Sequence, residues 1–108
     1  MLKKIQTITI NDFERPGIPE MFIDFKQKNQ VGYVDEIDIP ERIPYMIEYQ
    51  IDDSEEICAL KIINFEVFMS YIETDDYLPN LGLFKYKNYQ PMMLKELLKE
   101  LFKNQDYE

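Results

Sequence analysis

The side chains able to do chemistry are almost all carboxylates: 108 residues carry 21 Asp and Glu, one cysteine and no histidine. Without an imidazole no Ser-His or Cys-His nucleophile pair can be written, and no His/Cys zinc site. Cys58 sits among Ile57, Ala59 and Leu60 with no base to activate it, so it reads as a small buried hydrophobe. Three glycines leave no phosphate-cradling loop. Asp52, Ser54 and Glu56 have the spacing of the first ligands of a calcium loop. Ile57, however, stands where that loop requires glycine, and Ile63 where it requires a bidentate glutamate. Asp24-Phe25-Lys26 following Pro19-Glu20 has the acid-x-Lys form of metal nucleases, but its two parts are too close together. Many carboxylate pairs for acid/base work can be drawn and none stands out. The expectation is no catalytic residue, no metal site, no cofactor and no enzyme.

The carboxylates are unevenly spread. Residues 1–30 and residues 83–108 each hold five basic and four acidic side chains, whereas residues 31–82 hold 13 acids against Arg42 and Lys61. The whole net charge of −9 therefore lies in the middle of the chain. A field of that sign repels nucleic acid and anionic membrane and attracts basic clefts and peptides, although a plain solvated face has the same composition. No apolar run is long enough to span a membrane, and the N-terminus turns polar too soon for a signal peptide. With a lone cysteine the expected setting is reducing and cytoplasmic.

These residues must be positioned by few elements of good length. At 108 residues, 45% hydrophobic, the chain has room for one domain with its own core. Residues 2–10 read as a strand and Asn11 to Pro19 as a loop. Met21, Ile23 and Phe25 alternate as a second strand. Residues 26–42 read as a loop with an extended edge segment, containing the apolar pairs Tyr33-Val34 and Ile37-Ile39. Ile43, Tyr45, Ile47, Tyr49 and Ile51 give the cleanest alternation, with Pro44 placing its start at an edge or before the ladder. The acidic turn 52–56 follows, and residues 57–72 return with apolar residues on both faces. Their β-branched and aromatic content reads as one long strand rather than a helix. Glu73 to Tyr89 is a loop with a short strand at Leu83–Tyr86. Pro91 suits a first helical position, with Gln90 as cap and Tyr89 stapled to Leu94. Met93, Leu94, Leu97, Leu98 and Leu101 then form one apolar helical stripe. The fold class is α+β: an antiparallel sheet of about four strands with a C-terminal amphipathic helix packed on it.

This order of elements resembles the SecB family of export chaperones. The similarity lies in Ile5-Gln6-x-Ile8 followed by Pro16, Pro19 and Phe22, and in the hairpin Tyr45–Ile51 into Ile57–Tyr71 with Phe65 and Phe68. It continues in Leu78-Pro79-Asn80-Leu81 and the Pro91-initiated terminal helix. The segment between Asn80 and Pro91 is too short for the family's long penultimate helix. The resemblance implies ATP-independent holding of unfolded polypeptides by a homo-oligomer.

Two functions are therefore expected from different classes, both of them protein binding. A holdase would use apolar residues on the second face of the long strand, namely Ile62, Phe68 and Ile72. A small acidic inhibitor or immunity protein of a phage or toxin system would use Asp52, Asp53, Glu55 and Glu56, placed in the basic cleft of a nuclease or other nucleic-acid-binding protein. Neither implies direct nucleic-acid binding or membrane insertion.

Overall fold

The computed structural model describes residues 2–11, 17–25, 31–53, 55–74 and 77–106. Alternation builds its main sheet, with strands β2 (Thr7–Asn11), β3 (Glu20–Asp24), β4 (Val31–Glu36), β5 (Met46–Asp52) and β6 (Ile57–Ile63). Their order is β2-β3-β6-β5-β4, antiparallel throughout. Met21 and Ile23 stand opposite Ile62 and Leu60, which in turn stand opposite Ile47 and Tyr49. All of these except the half-buried Tyr49 are buried, so one face of three adjacent strands is a continuous apolar wall. β5 begins two residues after Pro44, clear of the ladder, as a residue without an N–H requires. β4 is the extended edge segment anticipated between residues 26 and 42.

A smaller sheet has the order β1-β7-β8, from β1 (Lys3–Lys4), β7 (Leu83–Lys85) and β8 (Met92–Met93), with β1 parallel to β7. The fold is thus α+β as expected, but with its strands divided between two sheets. Residues 2–10 are not one strand. The Ile5 N–H donates to the Lys85 carbonyl at 2.9 Å and the Gln6 N–H to the Asp24 carbonyl at 2.7 Å, so the chain changes sheets between neighbouring residues. The apolar spacing carries this break, because the buried pair Ile5 and Ile8 is three apart rather than two.

The segment 57–72 is also corrected. It is a strand to Ile63 and then a helix, α1 (Phe65–Tyr71). The switch is Asn64, whose backbone is left-handed (φ 67°, ψ 54°) and whose side-chain amide donates to the Pro44 carbonyl at 2.8 Å. Asparagine tolerates that conformation better than other residues with a Cβ. Beyond it, Phe65, Phe68 and Ile72 recur at helical spacing and are all buried. Tertiary packing has overridden the strand preference of the Phe, Val and Tyr side chains.

The last helix, α2 (Leu94–Asn104), starts three residues later than Pro91 predicts, because Met92 and Met93 pair with β7. Met93 is exposed, while Leu94, Leu97, Leu98 and Leu101 join the core with Phe65, Phe68 and Phe84. With Met93 at the N-cap of α2, the staple position falls on Met92 and not on Tyr89. The Tyr89 hydroxyl instead donates to Asp106 at 3.2 Å and accepts from Asn104 at 3.1 Å, tying down the helix's far end. Lys87 pairs with Asp106 at 2.7 Å and holds that carboxyl below its ordinary value. Edge-to-face contacts of Phe25 with Phe84 and of Tyr45 with Phe68, at 5.2 and 5.1 Å, join the layers of the core.

Candidate functional site

Ile62, Phe68 and Ile72 retain 0, 0 and 4% of their accessible surface. The apolar surface expected on residues 57–72 is therefore inside the molecule, because the turn at Asn64 folds its second half back onto the sheet. The acidic turn divides differently. Asp52 is buried, and its carboxylate accepts the Glu56 N–H at 3.1 Å while its carbonyl accepts the Glu55 N–H at 3.1 Å. It closes the β5–β6 turn rather than meeting a partner. Asp53, Glu55 and Glu56 are exposed. Ser54, the middle member of the calcium-like spacing, and Lys26 of the acid-x-Lys segment lie outside the described residues. Among the described residues no three metal-ligating side chains converge.

The residues that alternate with the core wall build the opposite face of the five-stranded sheet. Three cross-strand rows follow from the register: Asn11, Glu20, Ile63, Met46; then Thr9, Phe22, Lys61, Glu48, Glu36; then Thr7, Asp24, Ala59, Gln50, Val34. Lys61 stands at its centre, with its ammonium 3.3 Å from Glu20, 3.9 Å from Glu48 and 5.3 Å above the Phe22 ring. Thr7 donates to Asp24 at 3.2 Å. Among the described residues, these three rows hold four carboxylates (Glu20, Asp24, Glu36 and Glu48) and one cation, Lys61, so the rows are predominantly acidic. On the other side of the β4–β5 edge, partial burial and the Asp35 carboxylate raise the Tyr49 phenol above its ordinary value. It stays protonated and donates to Asp35 at 3.4 Å.

At one end of this face lies a cavity of about 440 Å³. Its walls are Ile37, Ile39, Ile43 and Ile63, with Ile18 and Met46 (38 and 40% exposed) as the outermost apolar residues and Glu36 and Glu41 as its carboxylates. Among the described residues, the side chains lining it include no lysine or arginine. Sequence reading missed this site, although one signal was present. Ile37 and Ile39 alternate with Glu36, Asp38 and Glu41 in a stretch read as loop, an apolar lining spaced by acids. The acidic turn 53–56 lies at the opposite end of the β5–β6 hairpin, so carboxylates mark both ends of the face.

Cys58 is buried and its thiol donates to the Gln50 carbonyl at 3.4 Å, at the register shift between Gln50 and Ile51. It fills a bulge, in line with a packing role. No described helix is long and apolar enough to cross a membrane. No protein-family model, curated protein or solved structure matches the chain.

Proposed function

We propose that this chain is a non-enzymatic protein-binding module, and that its acidic sheet face docks on a basic surface of another protein, as a small inhibitor or immunity protein would. The observation that carries this reading is the partition of the residues expected to bind. Ile62, Phe68 and Ile72 lie in the core, while Asp53, Glu55 and Glu56 stand exposed at one end of the acidic face. Rim charges of this kind steer encounter and set association rates more than they add affinity. A basic cleft built to bind nucleic acid is the surface such a field would find.

The test is the association rate of a partner captured from the source lysate, at low and high salt, with the native chain and with Asp53→Lys/Glu55→Lys/Glu56→Lys. Binding that slows with salt and slows again with the triple reversal supports the reading. Rates indifferent to both would end it.

The holdase function implied by the SecB resemblance has a different support. Leu83 and Met93 stand opposite each other in the small sheet and are exposed, as is Leu2 just before β1. A holdase gripping clients there would keep its affinity in salt, since apolar contacts are not screened.

A further inference from the structure

On the reading that the acidic face binds a protein, we propose that the cavity at the Glu36–Met46 end is its anchor pocket. It takes one large apolar side chain from a partner segment that is basic on both sides of that residue. At about 440 Å³ the cavity falls within the ~300–1,000 Å³ of working ligand clefts. Four isoleucines supply a wall that water wets poorly, and Ile18 and Met46 keep apolar surface in solvent around it. Among the described residues, the carboxylates lining it are Glu36 and Glu41. Glu36 also belongs to the central row of the sheet face, beside Glu48. The pocket is therefore continuous with a larger negative surface, which suits an occupant extending beyond one small molecule.

Charge complementarity selects the occupant. A lysine or arginine next to the anchor meets Glu36 or Glu41 on entry, whereas an acidic neighbour is repelled. A second copy of this chain would bring a net charge of −9 against the same carboxylates, so self-association through this pocket is disfavoured. A large apolar side chain buried in a desolvated pocket is the usual centre of a binding hot spot, and the carboxylates beside this pocket select its neighbours.

The experiment titrates the full chain with the capped peptide Lys-Lys-Phe-Lys-Lys and with the same peptide carrying alanine at its centre. Binding is followed by calorimetry and by the methyl resonances of Ile39 and Ile63. The expected result is salt-sensitive binding of the phenylalanine peptide with shifts at both methyls. The alanine peptide, and the phenylalanine peptide on Met46→Lys, should bind about thirtyfold more weakly, as loss of an anchor predicts. Equal binding of both peptides, with the two methyls unmoved, overturns the pocket and leaves the acidic face standing. No binding of either peptide at low salt overturns both. A dimer of the native chain that Met46→Lys dissociates would give the pocket to a second copy and also overturns the proposal. The methyl shifts are read on the native chain, so an unfolded Met46→Lys variant does not blunt the test.

Discussion

The two faces of the five-stranded sheet are made by the same strands, residue by residue in alternation, yet different physics governs each. On the inner face Met21, Ile23, Ile47 and Ile62 are sealed beneath the core, each buried side chain contributing about 1.5–3 kcal/mol. On the outer face Lys61 is shared by Glu20, Glu48 and the Phe22 ring, contacts of which the more exposed are worth only ~0–1 kcal/mol each. The difference separates two tasks. Stability resides on the inner side, so the outer side can carry an unbalanced charge without unfolding the molecule.

The sharpest way to break this comparison is to hollow the inner side. Phe68→Ala removes a fully buried ring packed edge-on to Tyr45 and should cost about 3–5 kcal/mol in urea unfolding. A loss below ~1 kcal/mol would mean that the ring faces solvent or a partner after all.

On the outer side one pair should behave like an inner one. Glu20 is 3% exposed, and Lys61→Met leaves its carboxylate buried without a cation, at a cost of about 1–3 kcal/mol. Adding Glu20→Gln should recover most of that loss in a double-mutant cycle, and a purely additive cycle would show that the two do not interact. Asn64→Ala comes next. Alanine loses the hydrogen bond to Pro44 and must hold a left-handed backbone, which together cost ~1–2 kcal/mol. No change in stability would exclude Asn64 as the switch between strand and helix.

The smallest effect lies on the exposed surface. Asp106 has its carboxyl lowered by the Lys87 hydrogen bond, so its contribution is fully present above its ordinary value of 3.8 and is lost as pH falls through the lowered one. Lys87→Met should flatten the acid limb of the stability curve there and leave neutral pH nearly unchanged. An unaltered acid limb would show the pair to be inert.

The inner face was legible because strict alternation in Met21–Phe25 and Ile43–Ile51 leaves little freedom over which side is buried. The terminal helix was legible for the same reason at a different period. What failed were the places where the local pattern does not mark the residue at which the period changes. At Asn64 a single left-handed asparagine switches period 2 to period 3.6, and Phe65, Val67 and Phe68 have the composition of a strand. At Met92–Met93 the chain spends two residues in a ladder that only β7, at a distance in sequence, can supply. The pocket failed for a related reason. Its walls come from residues 18, 36–46 and 63–64, and proximity across such gaps is set by register, not by local pattern.

The passage of the chain from one sheet to the other between Ile5 and Gln6 has a kinetic consequence. Lys3 and Lys4 pair with Phe84 and Lys85, so this stretch waits for partners some 80 residues later in the chain. Closing so long a loop is entropically costly, and contacts of this separation slow folding. The five-stranded sheet can assemble before β7 has left the ribosome, whereas the small sheet cannot. Pulse-labelled hydrogen exchange during refolding should therefore protect the Gln6 amide, bonded to Asp24, before its neighbour Ile5, bonded to Lys85. Two adjacent amides would then report two separate events, with the peptide between them acting as the clasp that closes last.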